Sequence, residues 1–357
     1  MPDFFLPASA GLGEAGLFAL ILIVALLFLG TLGLSAYALI MRSIHTRREK
    51  ELKELADLWL KPVLGAIADP EQVPAVQQLV DEDDHVRFLN FVIEYTRRVR
   101  GSEKEVLRDL ARPFLPAVER ASAGGTEVRA WAVQVLGTLG LPQYEREVLA
   151  ALDDPAPLVA MIAARSLARR DTPEYAPAVL SHLDRFGGWS RMFLASMLAA
   201  MGPSVSEDLR KKLADESAAP HIRAVIAEAL LMQGDFLAGD PAADVVRTSD
   251  DTELLASCLR LLAAVGRPEH ADLVRPLCDA EDPVVRAQAL RALGPLGDVD
   301  DVPVLIEAMD DEEPWPALYA ARGARDAGGR EVLASRAASE PDVGRLADQV
   351  LHEEDGE

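Results

Sequence analysis

The sequence predicts an all-α chain, an α-solenoid of about eight helix pairs preceded by one transmembrane helix. Three observations predict it. A 27-residue stretch without charge runs from Ala15 to Met41, a helical pattern recurs every 31 or 32 residues over most of the remainder, and the apolar half of the composition is mainly Ala and Leu. Ala and Leu are strong helix formers, whereas the aromatic residues that favour strands make up only 5%.

Residues 1–14 read as a short tail outside the membrane. The next segment, 15–41, is "AGLFALILIVALLFLGTLGLSAYALIM". As a helix it reaches about 40 Å, beyond the ~30 Å of bilayer hydrocarbon, so it spans with some tilt. The preceding tail has Asp3 and Glu14 and no Lys or Arg, while Arg42, Arg47, Arg48, Lys50 and Lys53 follow the run. Positive flanks stay inside, which orients the N-terminus outward and the body towards the cytoplasm, as on a bacterial inner membrane. A cleaved signal peptide is the competing reading, with Ala36-Tyr37-Ala38 as its site. The uncharged leading region and the length of the run favour a retained anchor. Residues 42–61 read as a basic stalk helix, with Leu52, Leu55 and Trp59 at helical spacing, ending near Pro62.

The repeat occupies 62–352. With Val285 at offset zero, a small residue stands at +4 (Ala289) and an apolar one at +8 (Leu293). The same frame starts at Val128, Val159, Ser190, Ile222, Leu254 and Pro316, with a diverged copy at Val86 and a half-copy at Val343. Offsets 0, +4, +7, +8 and +11 share one helical face. Between copies lie second amphipathic stretches such as "EREVLAALDD" and "VPVLIEAMDDEE", with Pro, Gly and acids at the turns. A constant period of this length means stacked units, each covering its neighbour's apolar side. Residues 62–120 fit the frame worst, as expected of a terminal cap. The acidic tail is 353–357.

Residues 1–54 hold five basic and five acidic side chains, so the remaining 303 residues carry the whole net charge of −22. Such a body is repelled by nucleic acid and by anionic headgroups. Cys258 and Cys278 make neither a disulfide framework nor a zinc site and suit a reducing compartment.

The stretch "DPVVRAQALRALGPLG" resembles the HEAT-repeat signature in its Asp, its Val-Arg pair and its Ala and Leu offsets. "GTEVRAWAVQVLGTLG" and "APHIRAVIAEALL" follow it in part. The resemblance implies antiparallel helix pairs used as a binding scaffold, with the second helix of each pair lining the concave side. The layout also resembles bacterial HEAT-repeat membrane proteins associated with glycosyltransferases of polysaccharide export, which implies an accessory subunit of a membrane complex.

Enzymes occur among similar repeats, as lyases, hydroxylases and DNA glycosylases. The iron-holding His-Glu pairs of the hydroxylases have one counterpart here, His352-Glu353 at the end of the chain. The six histidines share no ligand spacing. The acidic clusters, such as Asp310-Asp311-Glu312-Glu313, lack the spaced oxygens and closing Glu of a calcium loop. Capping of helices explains them. The reading is therefore of a non-enzyme without cofactor, metal or catalytic residues. The arginines at +1 (Arg87, Arg129, Arg191, Arg223, Arg286) are expected to bond turn acids or carbonyls. Trp131, Ile162, Phe193 and Val225 at +3 are expected to pack against the neighbouring repeat.

Offsets +2 and +6 lie opposite the apolar stripe. They carry Phe88, Met161, Met192 and Leu318 at +2, and Arg165, Arg260, Arg291 and Arg322 at +6. Apolar side chains beside an arginine ladder, on an otherwise acidic chain, suit a protein partner presenting an acidic helix or peptide. The alternative is that these arginines bridge internally, for example to Glu228.

Overall fold

The computed structural model describes residues 10–170, 172–339 and 344–353. Most of the outer tail (1–9) and the end of the acidic tail (354–357) lie outside the described residues. Among those described, every regular element is helical. The chain divides into two compact units, 1–117 and 118–357.

The first unit begins with α1 (Ala10–Ala68), followed by α2 (Val73–Gln77), α3 (His85–Thr96) and α4 (Ser102–Ala111). Trp59 of α1 packs edge-on against Phe88 at 5.2 Å and Phe91 at 5.8 Å. Phe88 in turn meets Phe114 at 5.2 Å. α1 continues through Pro62, where the sequence placed the end of a stalk. A proline inside a helix costs about 3 kcal/mol. Trp59, Val63 and Ala66 lie on one face and are buried, and burial of Trp59 and Val63 at roughly 1.5–3 kcal/mol each offsets the proline.

Further towards its start, α1 contains the apolar run. Its described large side chains, from Leu22 to Met41, are exposed. Among the described residues no helix is long and apolar enough to cross a membrane. The side chains of 15–18, 20, 21, 25, 38 and 40 within the run lie outside that set.

The boundary between the units falls inside α5 (Leu115–Ser122). Longer and shorter helices then alternate as far as α18, except that α10 and α11 are equal in length. They are α6 (Thr126–Leu139), α7 (Glu145–Ala150), α8 (Pro157–Ala168), α9 (Ala176–Ser181) and α10 (Arg191–Ala199). Next come α11 (Ser206–Ala214), α12 (Pro220–Gln233), α13 (Gly239–Thr248), α14 (Thr252–Val265) and α15 (Ala271–Val274). The last are α16 (Pro283–Leu296), α17 (Val302–Glu307), α18 (Pro314–Asp326), α19 (Arg330–Ser339) and α20 (Gly344–His352). From α6 to α20 each even helix packs on the next even helix, and α11, α13, α15 and α17 each pack on the even helix that follows. The result is two layers of helices with contacts running between neighbours, the arrangement of a solenoid.

Local chemistry sets the helix ends. The Asp282 carboxylate accepts from the N–H groups of Val284 (2.8 Å) and Val285 (3.1 Å), and Asp251 does the same for Leu254 (2.9 Å). Gly140 and Gly234, at φ +65° and +63°, close α6 and α12 in the left-handed region that glycine adopts freely.

The frame is buried as expected at Val285, Ala289, Ala292, Leu293 and Leu296. Offset +2 is a correction. Ala130, Met161, Ala224, Ala256 and Ala287 are buried there, because each of α8, α12, α14 and α16 is flanked by an even helix on both sides, and α6 by α8 and α7. The seams are close: a Cβ on Gly294 would stand 2.7 Å from the Gly323 Cα.

The +1 arginines tie the turns. Arg129 donates to Asp154 from Nε and from a terminal nitrogen, both at 2.9 Å, and to the Gly124 carbonyl at 3.0 Å. Arg286 repeats the pattern with Asp311 (2.6 and 3.2 Å) and the Ala280 carbonyl (2.6 Å). These guanidinium hydrogen bonds hold the Asp154 and Asp311 carboxyls below the usual carboxylate range. Arg223 donates to the Leu213 carbonyl at 2.8 Å, Arg87 to Asp84 within its own turn, and Arg191 to Glu253 two repeats on.

Candidate functional site

On the even helices α6 to α18 one strip escapes burial. Offset −1 is exposed throughout, as Glu127, Leu158, Trp189, His221, Glu253, Val284 and Trp315. Offsets +3 and +6 follow on the same side by helical geometry, but Val225, Ser257 and Gln288 at +3 and Glu228 at +6 are buried. The partner-binding candidates therefore separate. Phe88 belongs to the first unit and is fully buried in its aromatic cluster. Met161 is 1% exposed and lies in a helix seam, so neither offers a surface. Leu318 is half-buried. Met192 is 58% exposed.

The four +6 arginines have three surroundings. Arg260 donates from Nε to the Glu228 carboxylate at 3.0 Å and from a terminal nitrogen to Ser257 Oγ at 3.0 Å. Glu228 is 5% exposed, so this is an ion pair inside the α12–α14 seam, the internal bridge the sequence held open as an alternative. Arg322 makes two 2.8 Å bonds to Glu353. Those bonds hold the Glu353 carboxyl below its usual range. Arg165 and Arg291 instead lie over rings. Arg165 Cζ is 6.0 Å from the Phe193 centroid and Arg291 Cζ is 5.6 Å from the Tyr319 centroid. Each ring packs on an exposed tryptophan: Trp189 on Phe193 at 5.5 Å, Trp315 on Tyr319 at 6.1 Å.

Trp189, Trp315 and Tyr319 are not among the partner-binding positions expected from sequence, and Phe193 is expected there to pack against the neighbouring repeat. A signal for them was present. An arginine, a tryptophan 24 residues on and an aromatic four further occur as Arg165/Trp189/Phe193 and as Arg291/Trp315/Tyr319.

Other clusters carry less. Asp240, Glu269 and His270 are the one His/Cys/acid grouping close enough to hold an ion among the described residues. Arg267 bridges both carboxylates. Its backbone N–H donates to His270 Nδ1 at 3.1 Å, which leaves the proton on Nε2 facing Asp240 at 3.1 Å. Both ring nitrogens are thus used. Glu353 of the His352-Glu353 pair is taken by Arg322. Burial pushes the Cys258 and Cys278 thiols up to about 12, which keeps them protonated and unreactive. A groove between α9 and α11 contains Lys211 and Lys212, paired with Glu207 and Asp215 at 2.6 and 2.8 Å.

This two-layer stack with tied turns has a counterpart among known families. A family model described as HEAT repeats matches residues 112–186 and 239–324. The stretch between the HEAT matches, 187–238, keeps the same alternation of helices. No curated protein matches the chain. Among solved structures, an engineered protein is 19% identical, covers 84% of this chain and 94% of its own, and has a TM-score of 0.38. Human deoxyhypusine hydroxylase in complex with glycerol is 17% identical, with coverage of 78% and 96% and a TM-score of 0.30. The complex of CpcE and CpcF of phycocyanin lyase from Nostoc sp. is 19% identical, with 79% and 94% and a TM-score of 0.26.

Proposed function

We propose that the chain is a membrane-anchored HEAT-repeat scaffold that binds protein partners on the cytoplasmic face through the exposed strip of its even helices, and that its role is binding rather than catalysis. The observation that carries the reading is in α1. One helix presents exposed apolar side chains from Leu22 to Met41 and then buries Trp59, Val63 and Ala66 in the helical body. Exposed apolar surface on that scale calls for lipid or protein cover. The basic residues from Arg42 to Lys53 orient the body inward. An anchored body also meets membrane partners at raised local concentration. Within this reading, an accessory subunit of a membrane glycosyltransferase complex rests on the layout of anchor and repeats.

The test is a reporter fused after Glu357, with carbonate extraction of membranes. The protein should stay in the pellet, and a cytoplasm-dependent reporter should be active. Release by carbonate or a periplasm-active reporter contradicts the reading. A photo-crosslinking residue at Met192 should form partner adducts in cells, and one at the exposed Glu207 of the odd layer should not. Equal labelling from both removes the strip as the binding face.

A further inference from the structure

The two aromatic-arginine sites are built alike from three side chains, and each residue of the second stands 126 positions after its counterpart in the first. In both, the +6 arginine of one even helix covers the +3 ring of the next, and that ring packs on the −1 tryptophan, which lies just before α10 at Trp189 and in the first turn of α18 at Trp315. Folding does not require this arrangement, since Trp315 is 64% exposed. A guanidinium whose face rests on a ring keeps its N–H edge free for a planar anion. The other two +6 arginines indicate which anion: Arg260 and Arg322 each hold a carboxylate, from Glu228 and Glu353. Among the described residues neither Arg165 nor Arg291 pairs with one. One turn before Arg291 and on the same side, Gln288 is 8% exposed and its Oε1 lacks a hydrogen-bond partner among the described residues. That oxygen is covered inside the seam and takes no part in the station.

We infer that the two sites are stations of one dock for an extended acidic peptide segment, each taking a carboxylate on the arginine edge and an adjacent aliphatic or proline side chain on the tryptophan. The inference rests on the scaffold reading and names the chemistry of the partner. Four steps between even helices, at 8–10 Å each, put the stations about 32–40 Å apart. An extended chain advances about 3.3–3.6 Å per residue, so the two anchors lie about 10–12 residues apart. The net charge of −22 opposes an acidic partner at long range, so affinity comes from the short contacts at both stations together.

The experiment uses the full-length protein in detergent micelles and fluorescein-labelled peptides, read by anisotropy. One peptide carries Glu-Glu-Leu-Pro once, and another carries it twice across about seven Gly/Ser residues, which sets the modules about 11 residues apart. Controls shorten the spacer to two residues or replace each Glu by Lys. The two-module peptide should bind at least tenfold more tightly than the single module. Arg165→Gln or Arg291→Gln should abolish that gain while the melting temperature moves by no more than about 4 °C, and the short spacer and the lysine peptide should not reproduce it. Equal binding of the lysine peptide, a gain that survives both substitutions, or no binding by any peptide overturns the inference. If a single module binds through Arg291 but the second adds nothing, the dock is not bipartite and the binding strip stands. If no peptide binds while Met192 still crosslinks a partner, the carboxylate chemistry fails and the scaffold reading stands. Sedimentation showing self-association that Trp315→Ala removes would assign the stations to a second copy instead.

Discussion

At the α12–α14 junction the Arg260 guanidinium turns inward onto Glu228, whereas at α16–α18 the equivalent Arg291 stays at the solvent edge over Tyr319. The backbone frame is the same. What differs is the neighbours: a carboxylate one repeat earlier at +6, against a ring one repeat later at +3. The same residue in the same register is a seam bond in one place and an exposed cation in the other. A binding role can be argued only for the second, because the first already spends its hydrogen bonds inside the fold.

The largest effect expected from breaking this contrast is at Arg260. Arg260→Glu sets a second carboxylate against the buried Glu228, a loss of about 3–5 kcal/mol. At roughly 2–4 °C per kcal/mol for a body of this size, the melting temperature should fall by about 6–20 °C in circular dichroism. A fall below 2 °C would mean that the pair contributes nothing to the seam.

Acid sharpens the comparison next. Asp154, Asp311 and Glu353 have carboxyls lowered by Arg129, Arg286 and Arg322 respectively. A carboxyl lowered in the folded state stabilises the fold above its unfolded value, near pH 4, and loses that contribution as pH falls through the lower folded value. The melting temperature should hold from pH 7 to about 5 and drop below about 4. Arg286→Gln should flatten part of the drop, and Arg291→Gln should not, because its partner ring has no charge to lose there. Thermal scans across pH decide it.

The smallest effect belongs to Arg291 itself. As an exposed cation over a ring it contributes about 0.5–1 kcal/mol, so Arg291→Gln should move the melting temperature by no more than about 4 °C. A larger loss would place Arg291 among the structural arginines beside Arg260.

By itself the sequence determined the all-α class, the period and the chemistry of the turns. These depend on neighbours within one helix or one repeat. Val285, Ala289 and Leu293 share a face by helical geometry, and Asp282 or Arg286 finds its partner at a fixed step along the chain. The apolar run of 15–41 was legible for the same reason, as composition alone. Only the tertiary structure decided which side of each even helix meets solvent. Stacking against two flanking helices rotates the exposed strip away from the point opposite the stripe, so +2 buries Met161 and Ala287 while −1 exposes Trp189 and Trp315. It also decided the fates of the +6 arginines, since a guanidinium's role is set by atoms about 30 residues distant in the chain and a few ångströms away in space. Helical periodicity gives the direction of a side chain, and only packing supplies what stands there to receive it.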